Sequence, residues 1–135
     1  MRKELDEKLC TRFPSIFRDR HGDYRETCMV WGFSCGDGWF QLIWDLCLEL
    51  EKVNPQVVAQ QVKEKFGGLR FYVHSSNMNG YDLITRAEAL SFKVCEWCGK
   101  EGSNKESSTG WIRTLCPDCR TKEQAGYRPW LERKT

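Results

Sequence analysis

Cys95-Glu96-Trp97-Cys98 and Cys116-Pro117-Asp118-Cys119 are two CxxC pairs with 17 residues between them. Two thiols three positions apart on a tight turn reach one small tetrahedral ion together, and two such pairs complete a four-sulfur shell. The spacing predicts Cys95, Cys98, Cys116 and Cys119 as metal ligands and Zn2+ as a structural cofactor. A closed shell leaves no position for water, so such a metal holds the fold and does no chemistry. Redox dithiols or disulfides are the alternative for the same four residues.

Working outward, Gly99 stands where a knuckle turns back on itself, and the polar run 102–110 reads as a hairpin tip or exposed loop. Residues 111–115 alternate as a strand does, and after Cys119 a short helix runs through Gln124, with Gly126 to end it. Knuckle, hairpin and a second pair opening a helix form the order of a treble clef rather than a plain zinc ribbon. Upstream, Asp82 caps a helix whose Leu83, Ala87, Leu90 and Val94 repeat at helical spacing and lead into Cys95.

Gly67-Gly68 joins two strand-like runs and predicts a hairpin over 57–75, with Lys65 facing Arg70 and Lys63 facing Tyr72. One face then carries Val58, Val62, Phe66, Leu69, Phe71 and Val73. The other carries Gln61, Lys63, Lys65, Arg70, Tyr72 and His74. Like charges directly opposite each other cost stability, whereas an anion bound there turns the cost into a gain. A solvated face, its lysines discouraging edge pairing, is the plainer alternative.

The segment 39–53 is apolar at 39, 43, 46, 50 and 53, an amphipathic helix closed by Pro55, with Asp37 as its expected N-cap. Leu5, Leu9 and Phe13 predict a first helix that Pro14 ends. Residues 24–33 read as a strand with Met29, Trp31 and Phe33 on one side. Together these elements predict an α+β fold: a small antiparallel sheet with packed helices at 1–94, and a treble-clef-like zinc module at 95–135 packed against it.

Of the 135 residues, 40% are hydrophobic and 13% aromatic, enough for a packed core. No stretch is long and apolar enough to span a membrane, and the first residues lead into no apolar signal segment, which predicts a cytoplasmic protein. Cys10, Cys28, Cys35 and Cys47 lack metal-like spacing and read as buried free thiols. The formal charge of +2 falls near neutral once four thiolates hold one Zn2+. Nucleic-acid binding by phosphate neutralisation asks for a more basic surface, so a nucleic-acid-binding zinc protein is the second choice.

Enzyme signatures are weak. Cys35, just ahead of a helix, is a nucleophile candidate through the helix dipole, but His21 and His74 are the chain's two histidines and neither is marked as its partner. Glycine-rich phosphate loops, GxSxG and HExxH are missing from the sequence. Trp97, inside the first knuckle, is either a contact residue or packing for the preceding helix.

Cys35-Gly-Asp-Gly-Trp39, Val62-Lys-Glu-Lys-Phe-Gly-Gly-Leu-Arg-Phe-Tyr72, Cys95-x-x-Cys-Gly and Gly110-Trp-Ile-Arg-Thr-Leu-Cys116 resemble a family of small proteins from tailed phages and prophage regions. The likeness spans roughly residues 5–120. It implies a phage-type accessory protein in the bacterial cytoplasm and carries no catalytic residue with it. Proteins in that company often act by binding, as anti-defence inhibitors of a host protein or by sequestering a nucleotide-like signal. The expected contact residues are Lys63, Lys65, Arg70, Tyr72 and His74 on the hairpin, with Asp37 and Trp39 at the turn.

Overall fold

The computed structural model describes residues 1–107 and 109–132. The fold is α+β. Helix α1 (Lys3–Arg12) opens the chain, followed by a 3-10 turn at Met29–Trp31 and a short strand β1 (Phe33–Ser34). A second 3-10 turn, Asp37–Trp39, runs into helix α2 (Phe40–Val53). Strands β2 (Val58–Lys65) and β3 (Gly68–His74), helix α3 (Tyr81–Ser91), strands β4 (Ser103–Glu106) and β5 (Ile112–Leu115), helix α4 (Pro117–Gln124) and a last 3-10 turn, Pro129–Glu132, complete it. Among the described residues, no helix is long and apolar enough to cross a membrane.

The amphipathic pattern of α2 buries Ile43, Leu46, Cys47 and Leu50. They meet Leu9 and Phe13 of the N-terminal segment and the inner face of β2 and β3, where Val62, Leu69 and Phe71 point inward. Each such apolar side chain contributes about 1.5–3 kcal/mol on full burial. α3 buries Ile84, Ala87 and Ser91 rather than the expected 83–87–90 stripe; Leu90 is 48% exposed. Ser91 and Glu88 have a use in the sheet: the Leu69 amide donates to Ser91 Oγ at 2.8 Å and the Phe71 amide to Glu88 Oε2 at 2.9 Å. These bonds satisfy the outer edge of β3, which otherwise offers unpaired amides to another chain.

The expected strand at 24–33 is a loop and a 3-10 turn that buries Met29 but leaves Trp31 70% exposed; pairing is confined to Phe33 and Ser34, parallel to Val62 and Lys63. The hairpin register is displaced by one residue in the loop. Lys65 pairs with Gly68, Lys63 with Arg70 and Gln61 with Tyr72, so the turn is Phe66-Gly67. Both have positive φ, 54° and 82°, the signature of a type I′ turn whose twist matches the strands. Phe66 therefore leaves the core face and is 65% exposed. A bulge between Ala59 and Gln61 shifts the phase again, turning Val57 and Ala59 inward in place of Val58. Finally, Asp37 caps no helix; its carboxylate takes the Arg2 amide at 2.7 Å and Arg2 Nε at 3.0 Å.

Candidate metal centre and neighbouring surfaces

The first knuckle forms because Cys95 and Gly99 close a turn, the Gly99 amide donating to the Cys95 carbonyl at 2.9 Å. The second pair opens α4, with Pro117 in its first turn and the Cys119 amide donating to Cys116 Sγ at 3.4 Å. β4 and β5 hold the two pairs face to face. All four Sγ atoms lie within 4.8 Å of one another, Cys98 and Cys116 at 3.6 Å. Sulfurs on a tetrahedral zinc, each about 2.3 Å from it, lie about 3.8 Å apart, so the quartet fits an ion of that size. Three of the ligands are buried and Cys98 is exposed. Burial opposes ionisation at Cys116, but donors from the Cys119 amide and the neighbouring thiols outweigh it and hold this thiol below its ordinary value. Cys116 is thus the sulfur favoured as an anion, the form that binds metal, while burial first and then the neighbouring thiols raise Cys98 and Cys119. As a group, the four cysteines are able to hold a metal ion.

The turn at 36–39 is clamped to this centre. The Gly38 amide donates to the Glu96 carbonyl at 2.8 Å, the Gly36 amide to Glu96 Oε2 at 2.9 Å, and Trp39 Nε1 to the Val94 carbonyl at 2.9 Å. A Cβ on Gly38 would overlap the Cys95 carbonyl and the Gly99 amide. Trp39 is fully buried; its indole is core and offers no surface to a partner, contrary to the expected contact role. The tip of the β2–β3 hairpin docks on the same module. Thr114 Oγ1 donates to the Gly67 carbonyl at 2.6 Å and Asn104 Nδ2 to the Phe66 carbonyl at 3.1 Å.

Lys63, Lys65, Arg70, Tyr72 and His74 share the outer face of the hairpin. Lys63 stands directly opposite Arg70, and none of the three cations has a carboxylate within 4.0 Å among the described residues. Tyr72 is 44% exposed. Asp37 lies away from this face, at the knuckle.

Cys35 does not have the lowered thiol that a nucleophile needs. Burial first, then the Glu96 carboxyl, raises it well above its ordinary value, and no hydrogen bond joins its sulfur to His21 or His74 among the described residues. Cys28, expected to be buried, is exposed.

Trp97 packs neither on α3 nor into solvent. It meets Tyr127 and Trp130 edge-on, with ring centroids 5.8 and 6.2 Å away. The Arg113 guanidinium lies 5.7, 5.6 and 5.3 Å from the ring centroids of Trp97, Trp111 and Trp130. Its Nε is 2.7 Å from Glu123 Oε2, a buried ion pair at an angle poor for a hydrogen bond. Sequence reading missed this assembly, because its parts are scattered from the knuckle to the last turn. Burial, with the Glu64 carboxylate next, raises Glu96 to about 7 against the Gly36 amide and Arg113. No family model, curated protein or solved structure matched this chain.

Proposed function

We propose that the chain is a non-enzymatic binding protein stabilised by zinc. The ion is assigned from a donor set of four soft thiolates at tetrahedral spacing. The knuckle, the β4–β5 hairpin and a helix opened by the second cysteine pair support a treble-clef-like module. Recognition belongs to the hairpin face, where an anionic or nucleotide-like ligand, or an acidic surface of a host protein, neutralises the cations. One observation carries this: Lys63 and Arg70 stand directly opposite each other, and among the described residues neither has a carboxylate within 4.0 Å. That pairing costs stability unless something binds. On the sequence resemblance alone, the setting is a phage-type anti-defence protein in the bacterial cytoplasm.

The test is native mass spectrometry of the wild type and Arg70→Ala, purified in parallel from bacterial lysate. An anionic molecule or host protein retained by the wild type and lost from the variant is expected, with one zinc and a cooperative unfolding transition in both. Retention equal in the two proteins contradicts the assignment. Nucleic-acid binding is the second reading, and affinity that falls steeply with salt identifies it.

A further inference from the structure

Beside the metal centre lies a cavity of about 370 Å³, within the range of small-molecule sites. Its walls include Trp97, Trp111, Trp130, Arg113, Glu64 and Glu96. Among the described residues, Glu96 Oε1 and Trp97 Nε1 are buried polar atoms without a hydrogen-bond partner, as is Arg113 Nε, which has Glu123 as its ion-pair partner. Glu96 is 4% exposed and Trp97 9%. A buried donor and a buried acceptor left unpaired are costly, and a ligand carrying the complementary pair removes that cost.

Both atoms are closed off from solvent, so a ligand reaches them as the tryptophan rings part to admit it. The other Glu96 oxygen accepts from the Gly36 amide at 2.9 Å, and the Trp97 ring is held edge-on by Tyr127 and Trp130. The occupant therefore needs an N–H for the carboxyl oxygen, an acceptor for the indole N–H, and a flat face for the tryptophans. A cation suits the site poorly, because the Arg113 guanidinium already lies over all three indoles and repels a second positive charge. A neutral planar heterocycle stacks on indole at no such cost.

We infer that this cavity binds a purine nucleobase by its lactam edge, the ring N–H donating to Glu96 Oε1 and the carbonyl accepting from Trp97 Nε1. The adjoining groove shares Glu64 and Trp111 with the cavity and includes Lys63 and Lys65. A phosphate on the attached sugar is directed toward these lysines. That second contact rests on the anion-binding reading of the hairpin face; the base contact does not.

Guanosine, inosine and adenosine, titrated into the zinc-loaded full chain and followed by calorimetry and tryptophan emission, test the base site. Guanosine and inosine share the lactam edge, whereas adenosine presents donor and acceptor reversed. The first two are expected to bind at least about tenfold tighter than adenosine, and Glu96→Gln and Trp111→Ala each to weaken them about tenfold at unchanged zinc content. Trp111 is 60% exposed, so its loss leaves the core intact. Equal affinity for adenosine, preferential binding of choline, or no nucleoside binding at about millimolar concentration overturns the inference.

Replacing guanosine by GMP separates the two readings. A gain in affinity that Lys65→Ala removes supports both. Nucleoside binding without any gain from phosphate keeps the base site and removes the role of the hairpin face. Pyrophosphate binding without nucleoside binding keeps the hairpin face and removes the base site.

Discussion

The Gly38 amide donates to the Glu96 carbonyl at 2.8 Å, a backbone bond across 58 positions of sequence that ties the entry to α2 onto the metal knuckle. With Gly36 and Trp39 bonded beside it, the cysteine module, which packs a small cluster of its own around Leu115, is tied to the main core by hydrogen bonds. The Cys-Gly-Asp-Gly-Trp stretch has its small residues where the two backbones come closest.

Gly38→Ala is therefore expected to destabilise the whole chain by about 1–3 kcal/mol, the usual cost of forcing extra volume into a packed contact. Its added Cβ meets the Cys95 carbonyl and the Gly99 amide. Thermal unfolding followed together with zinc stoichiometry checks this: Tm falls and the metal is lost more readily. A variant with unchanged Tm and metal retention removes the clamp from the account.

Metal removal acts in the same place. Structural zinc contributes about 10–16 kcal/mol to the folding of small zinc peptides, so chelation, or Cys116→Ser, is expected to unfold the C-terminal module. The loss reaches further, because the amides of Gly36 and Gly38 and the Trp39 indole all end on Glu96 or Val94. Hydrogen exchange on the chelated protein is expected to show these three groups losing protection along with the amides of the cysteine knuckles. Continued protection at 36–39 after chelation would mean that the two parts fold independently.

Phe66 stands at φ 54° with its ring 65% exposed. A left-handed conformation costs a non-glycine residue about 1–2 kcal/mol, and asparagine tolerates it far better. Phe66→Asn is expected to raise stability by about 1 kcal/mol in chemical denaturation while weakening ligand binding, because the strained ring borders the groove with Lys65 and Trp111. A stabilised variant that binds normally would make the strain an accident of the turn.

Thiol chemistry gives a pH signature. Burial, then Asp6, raises the Cys10 thiol from its ordinary value of 9.0 to about 12, and burial raises Cys35 and Cys47 as well. A raised folded-state value contributes stability that is fully present below the unfolded value and lost as pH rises toward the folded one. Stability is therefore expected to decline from about pH 9 to pH 12, and Cys10→Ala to reduce the slope in Tm measured across that range. At neutral pH with metal bound, alkylation is expected at exposed Cys28 and to spare Cys35 and Cys47. Rapid labelling of Cys47 in the native state contradicts this.

The readable parts of this sequence were local. Two CxxC pairs announce their sulfur cluster because each pair closes within one turn, and α2 announces itself by apolar spacing. Turn chemistry failed at Phe66, where an aromatic residue occupies a position that pattern reasoning reserves for glycine or asparagine; the register moved with it. Met29, Trp31 and Phe33 alternate as a strand does, yet among the described residues of this segment only Phe33 joins the strand pairing with β2. Trp39 heads the apolar stripe of α2 and also stands in the expected contact turn; the structure keeps the first role only, and the carbonyl that takes its indole N–H lies 55 positions later. The tryptophan cavity left no trace in any short window, since it exists only once the knuckle, β5 and the final turn are folded together.

The central claim is a sealed four-sulfur metal site that holds the fold while other side chains do the recognising. X-ray absorption at the zinc edge on freshly purified protein tests it most directly. Four sulfur neighbours at about 2.3 Å, with no oxygen or nitrogen in the shell, are the predicted result. A metal-free protein, or a zinc carrying a light-atom ligand, would contradict it.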